Sequence, residues 1–164
     1  KPAIPSKTRS LVSPPTIPSS ISSIPFSPIQ SQEPVPLIAY IDDYKEDGQK
    51  MDQILTQLGC RCILVQDPMQ ALPVLLEHQP SLIFLDLVMP IINGYEACAQ
   101  IRRIARFKET PIIILTSSDG IIDRVRAKIV GSTDFLAKPI RTRKVQAILQ
   151  KYLEKKYTFQ SKLS

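Results

Sequence analysis

The sequence predicts an α/β protein: a doubly wound (βα)5 sandwich with helices on both faces of a five-stranded parallel sheet. Two observations carry that prediction. From residue 37 onward, five short strand-like runs alternate with segments whose apolar residues recur at helical spacing. In the middle run, Leu82, Ile83, Phe84 and Leu85 are apolar without a break, between Gln79-Pro80-Ser81 and the Pro90 and Asn93-Gly94 turn formers. A strand of that composition is covered on both faces and therefore central.

Before the alternation begins, residues 1–36 are mostly Pro and Ser with single, scattered Ile. Proline at this density removes backbone donors, and isolated Ile builds no helical or strand face. The segment reads as a disordered, semi-extended linker, with a Pro-rich ligand for an aromatic groove as the alternative. Its first residue is Lys1, with no initiator methionine, so the linker is expected to follow an upstream domain missing from this sequence.

Residues 37–41 form the first strand and end in Asp42-Asp43. Met51, Ile54, Leu55 and Leu58 then lie on one helical face, and Gly59 closes that helix. The second strand is 62–65. Asp67-Pro68 gives a cap and a first-turn proline to a helix that turns Ala71, Leu72, Leu75 and Leu76 inward. Pro73, inside that helix, is expected to bend it or loosen its first turns. The third strand, 82–85, leads through Met89-Pro90 to a helix from about Gly94, with Cys98, Ile101 and Ala105 on one side.

Pro111 precedes the fourth strand, 112–115, which ends in Thr116-Ser117-Ser118. The helix over 121–130 is expected to bury Ile122, Val125 and Ile129, to leave Ile121 outside, and to stop at Gly131. Residues 133–137 make the fifth strand, which Lys138-Pro139 ends. A last helix places Val145, Ile148, Leu149, Tyr152 and Leu153 on one face. The domain therefore spans 37–157, and 158–164 is a tail.

Composition narrows the setting. No stretch reaches the roughly 18 apolar residues of a membrane span, and no signal peptide is visible. A soluble, cytoplasmic chain without membrane insertion is expected. Cys60, Cys62 and Cys98 are too few for a metal site and read as fillers in a reducing compartment. His78, at a predicted helix end, reads as a solvated cap. The net charge of +6 is concentrated at the chain's end, where Arg141, Arg143, Lys144, Lys151, Lys155, Lys156 and Lys162 face Glu154 alone. That helix reads first as a solvated face and second as a contact for an acidic surface. With no recognition-helix motif and no interleaved aromatics, direct nucleic-acid binding is not expected.

Asp86 follows the central run directly, so it emerges at the carboxyl edge of its strand, where open α/β sheets bind ligands. If strands one and three are neighbours, Asp42 and Asp43 meet it there. Three converging carboxylates repel one another unless a divalent cation neutralises them, and hard oxygen donors completed by water describe Mg2+. The ends of strands four and five add the Thr116 hydroxyl and the Lys138 ammonium. These are the parts needed to make and hold an aspartyl-phosphate: a nucleophilic carboxylate, a cation pair to screen the transferring oxygens, and a hydroxyl to bind one of them. Pro139 would help fix the loop that aims Lys138.

Asp42-Asp43, Asp86 with Met89-Pro90 and Gly94, Thr116-Ser117 and Lys138-Pro139 together resemble the signature of response-regulator receiver (CheY-like) domains. The resemblance covers about residues 37–157. It implies a flavodoxin-like sheet of order 2-1-3-4-5 and a switch in a two-component phosphorelay, not a turnover enzyme. Asp86 would be the phosphoacceptor, taking its phosphoryl group from a histidine kinase or phosphotransfer protein. Asp43, Asp86 and the Val88 carbonyl would ligate Mg2+, and Asp42 would act largely through water. Thr116 would be the signalling hydroxyl, Lys138 the phosphate partner and Phe135 the aromatic switch. Output would pass through the fourth helix, fifth strand and fifth helix, to an upstream output domain, a downstream protein or a second copy of the chain. Val88 and Ser118, two residues after Asp86 and Thr116, offer no strong base for an attacking water, so a long phosphoryl lifetime is expected.

Residues 67–73, 119–128 and 131–135 further resemble the C-terminal receivers of cyanobacterial PatA-type regulators, whose upstream domain does not bind DNA and which act in phototaxis, motility or patterning. Three rivals stand beside the switch. A Mg-dependent aspartyl-nucleophile phosphatase of the haloacid-dehalogenase class needs a second Asp where Val88 stands. A nucleotide-binding domain needs a glycine-rich turn where Asp42-Asp43-Tyr44-Lys45-Glu46 stands. A pseudo-receiver interaction module would have no use for the complete acidic site.

Overall fold

A computed structural model of the chain describes residues 2–3, 12–16, 34–117 and 120–157. Most of the expected linker, the expected tail 158–164, Ser118 and Asp119 lie outside the described residues. Five strands, β1 (Leu37–Ile41), β2 (Arg61–Val65), β3 (Leu82–Asp86), β4 (Ile112–Thr116) and β5 (Asp134–Ala137), alternate with five helices. These are α1 (Lys45–Gln57), α2 (Ala71–His78), α3 (Gly94–Arg102), α4 (Ile121–Ile129) and α5 (Thr142–Leu153). All pairings are parallel and the order is β2-β1-β3-β4-β5, with β3 in the centre and buried along its whole length. No helix among the described residues is long and apolar enough to cross a membrane.

The period-2 alternation of the strands sorts their side chains into two cores. On one face Ile38, Tyr40, Phe84 and Leu115 pack with Met51 and Leu55 of α1 and Val145 and Leu149 of α5. On the other, Ile41, Ile83, Leu85 and Ile114 pack with Leu75 of α2, Cys98 and Ile101 of α3 and Ala127 of α4. Each fully buried Leu, Ile or Met contributes about 1.5–3 kcal/mol.

Local chemistry sets the ends of the elements. Asp67 caps a single 3-10 turn at Pro68–Gln70 by accepting from the Met69 N–H, and that turn runs into α2. Pro73 is thus the third residue of α2, within the first turn, where the N–H has no partner inside the helix. Gly59 and Gly131 close α1 and α4 with φ of 83° and 89°, the left-handed region that favours glycine. Asn93 caps α3 by accepting from the Glu96 N–H.

Four expectations are corrected. Ile122, Val125 and Ile129 are 69%, 53% and 78% exposed, and among the described residues of α4 only Ala127 is buried. The apolar spacing was genuine, but it marks the outer face of the helix. Leu76 is also exposed, since α2 uses Ala71 and Leu75 for its core contact. α3 stops at Arg102, so Ala105 starts a separate 3-10 turn whose Phe107 enters the core. Thr133 lies outside β5; its hydroxyl accepts from the Ile112 N–H instead.

Cys60 and Cys62 face the same core, Cys98 the other, and all three are free. Burial pushes the Cys60 and Cys98 thiols up to about 11 and Cys62 to about 12, which makes them inert fillers. His78 is half-exposed and is the last residue of α2, while Gln79 takes the capping position.

Candidate functional site

The parallel sheet brings all its carboxyl ends to one edge, so residues far apart in the chain meet there. Asp86 is the last residue of β3 and Thr116 the last of β4; Asp42 follows β1 and Lys138 follows β5. Ladder bonds continue past the strands and fix those loops: Asp42 N–H donates to Val65 O at 3.1 Å, Leu87 N–H to Leu115 O at 2.9 Å, and Lys138 N–H to Thr116 O at 2.7 Å. The Lys138-Pro139 peptide bond is cis. Gly94 lets α3 start against the end of β3: its N–H donates to Leu87 O at 2.8 Å, and a Cβ there would collide with the Asp86 carbonyl and stand 2.7 Å from Leu87 Cα.

Lys138 is the hub of the charges. Its Nζ lies 2.9 Å from Asp86 Oδ1, 3.0 Å from Asp42 Oδ2 and 2.9 Å from Asp47 Oδ2. Asp42 is buried and its oxygens are engaged: Oδ2 also accepts from the Tyr40 hydroxyl at 2.6 Å, and Oδ1 from the Tyr44 N–H at 3.0 Å. The hydroxyl of Tyr40, buried and facing Asp42, is held protonated well above its ordinary 10.0. Thr116 is buried beside them.

These contacts set the protonation states. Burial raises the Asp86 pKa above its ordinary 3.8, the Lys138 hydrogen bond opposes that rise, and Asp42 reinforces it. Burial works against the charge on Lys138, but hydrogen bonds to Asp86, Asp47 and Asp42 outweigh it and raise the pKa above 10.5. The outcome is a poorly solvated, basic carboxylate paired with a permanently charged ammonium. Such a pair suits attack by Asp86 on an electrophile whose product is an anion.

Three carboxylates, Asp42, Asp43 and Asp86, can each direct one oxygen into a common space, all within 4.8 Å of one another. All-oxygen donors of this charge fit a hard dication such as Mg2+. Asp43 is the exposed member, open to water that would complete a coordination shell. Val88, two residues after Asp86, is 74% exposed. Phe135, on β5, is half-buried against the second core, and the Arg124 guanidinium of α4 lies 5.6 Å from its ring centroid.

Lys138 thus contacts both Asp42 and Asp86. Asp47 and Tyr40 were missed. Both had a signal: alternation along β1 puts Tyr40 and Asp42 on one side of the strand, and the first turn of a helix starting right after Asp42-Asp43 hangs over the same edge.

A family model described as the response regulator receiver domain matches residues 38–150. Protein PilG of Pseudomonas aeruginosa is 38% identical over 102 residues, which are 62% of this chain and 76% of that protein. The probable transcriptional regulator ycf27 of Cyanidium caldarium is 31% identical over 123 residues, 75% of this chain but 48% of the relative, so the chain spans about half the length of that relative. Among solved structures, the chemotaxis protein CheY4 of Vibrio cholerae superposes with a TM-score of 0.70 at 26% identity, over 73% of this chain and 100% of that one. The receiver domain of a sensor histidine kinase from Pseudomonas aeruginosa PAO1, solved with a magnesium ion coordinated in its active site cleft, gives 0.68 at 30% identity, over 74% and 99%.

Proposed function

The chain belongs to the response regulator receiver domain family, and on that premise we propose that it is a switch that accepts a phosphoryl group on Asp86. The observation that carries this reading is the Lys138 ammonium seated between Asp42 and Asp86, on a backbone that bonds to the carbonyl of the buried Thr116. An Asp86 oxygen attacks the phosphorus of a phosphohistidine on a histidine kinase or phosphotransfer protein. The P–N bond breaks, the imidazole leaves, and an acyl phosphate remains on Asp86. Lys138 then exchanges a carboxylate contact for a phosphoryl oxygen, and the Thr116 hydroxyl donates to a second one.

Asp43, Asp86 and the Val88 carbonyl would hold Mg2+, with Asp42 acting through water; when bound, the ion screens charge on the transferring oxygens. The magnesium in the Pseudomonas receiver's cleft supports this ligand chemistry. Movement of Thr116 toward the phosphoryl group would let Phe135 turn inward and change the face made by α4, β5 and α5. That face is proposed to signal to an upstream domain, a separate protein or a second copy of the chain. Slow loss of the phosphoryl group follows from Val88, whose side chain cannot position a water. The pattern over residues 67–73, 119–128 and 131–135 supports a PatA-type regulator of phototaxis, motility or patterning; a deletion strain with all three intact would remove that part.

Acetyl phosphate with Mg2+ tests the core of the proposal. Wild type should gain one acid-stable, hydroxylamine-labile phosphoryl group and Asp86→Ala none. Steady turnover of a small phosphoester would instead support the aspartyl-nucleophile phosphatase.

A further inference from the structure

Lys138 is held by one more carboxylate than the transfer requires. Asp42 and Asp86 hang from buried strand ends and would fix the ammonium by themselves. Asp47 comes from the first turn of α1, its side chain is 26% exposed, and it reaches the same nitrogen at 2.9 Å. It is not one of the three carboxylates that converge on the cation space.

We propose that Asp47 is a positioning residue that competes with the phosphoryl group for Lys138, and so sets how tightly the site holds that anion. The inference rests on the switch reading above. An ammonium shared by three carboxylates offers an incoming anion less than one shared by two. Asp47 and Asp86 touch one nitrogen, so a phosphoryl group on Asp86 arrives within a few ångström of the Asp47 charge, where repulsion is strong. The partial exposure of Asp47 leaves it a path into water when the anion arrives. The same negative charge attracts a dication. Neutralising Asp47 therefore moves two affinities in opposite directions, which a loosened fold cannot do.

The chain holds no tryptophan to report binding, so the test uses calorimetric Mg2+ titration and 19F NMR of the beryllofluoride adduct on the full chain. Asp47→Asn should bind beryllofluoride about tenfold more tightly at saturating Mg2+, while its Mg2+ affinity falls about threefold. Asp47→Glu should stay close to wild type in both. The inference is overturned if Asp47→Asn leaves beryllofluoride affinity unchanged or weakens it, or if both affinities fall together. A folded wild type that takes up no beryllofluoride sinks the switch reading itself, whereas uptake with equal affinity by wild type and Asp47→Asn sinks only the role of Asp47.

Discussion

Lys138 Nζ stands 2.9 Å from Asp86 Oδ1, yet the ion pair does not return the Asp86 pKa to its ordinary value, because burial and Asp42 both act against it. The sign follows from linkage. A carboxyl whose folded pKa is raised contributes stability that is fully present below its unfolded pKa and is lost as pH rises through the folded one. At neutral pH an ionised Asp86 therefore opposes folding. Asp86→Asn should raise Tm by about 2–6 °C in chelator at neutral pH, and the gap should close as pH falls toward the raised pKa. Scanning calorimetry across that range checks it; an Asn variant that melts lower at neutral pH would contradict the reading.

Gly94 is required by backbone proximity, since its φ is ordinary for a helix start but its Cα faces the backbone of Asp86 and Leu87. A methyl group there can only be accommodated by moving main chain at the end of β3. Gly94→Ala should cost about 2–4 kcal/mol and should also weaken beryllofluoride uptake, because the displaced atoms carry Asp86. Urea unfolding and 19F NMR give the two readouts. Lost stability with an unaltered adduct would show that the strand end moves independently of its carboxylate.

The guanidinium of Arg102 joins three loops at the opposite side of α3. Nε donates to Gly131 O at 2.6 Å, Nη1 to Phe107 O and Thr110 O at 2.7 Å each, and Nη2 to Thr133 Oγ1 at 3.0 Å. Burial lowers its pKa, although it stays charged. Removing it leaves the partly buried Gly131 and Thr110 carbonyls without that donor, while Phe107 O keeps the Thr110 N–H, so Arg102→Met should cost about 2–4 kcal/mol. Arg102→Lys should recover under half of that, because one ammonium cannot reproduce the planar fork. Equal unfolding midpoints for the Lys variant and wild type would show that charge alone suffices.

The readable and unreadable parts of this sequence divide along physical lines. The strand runs and the faces of α1 and α5 were legible because both sides of the sheet must be dry, and the pattern then follows the helical and strand periods. Asp42, Asp86, Thr116 and Lys138 were legible because a parallel sheet sends every strand end to one edge. Asp47 was not, because an acid in a helix's first turn has an ordinary explanation in the helix dipole. α3 looked longer than it is, since Ala105 continues the apolar rhythm of Cys98 and Ile101 across the break after Arg102. The orientation of α4 was lost for a simpler reason: apolar spacing says which residues share a face but not whether that face looks inward.

That orientation gives the last prediction. Ile121, Ile122, Val125 and Ile129 make an apolar stripe with exposures of 81%, 69%, 53% and 78%, while Ala127 at 1% carries the contact with the sheet. Replacing residues that are mostly exposed changes unfolding free energy little, so Ile122→Gln with Ile129→Gln should shift it by less than about 0.5 kcal/mol. Ala127→Leu, which forces three extra carbons into a filled core, should cost about 1–3 kcal/mol. Because neither residue belongs to the charged cluster around Asp86, the double variant should take up beryllofluoride as wild type does. A loss of 2 kcal/mol or more in the double Gln variant would return these side chains to the core. An unchanged midpoint, together with loss of the proposed output contact, would identify the stripe as the surface that a partner covers.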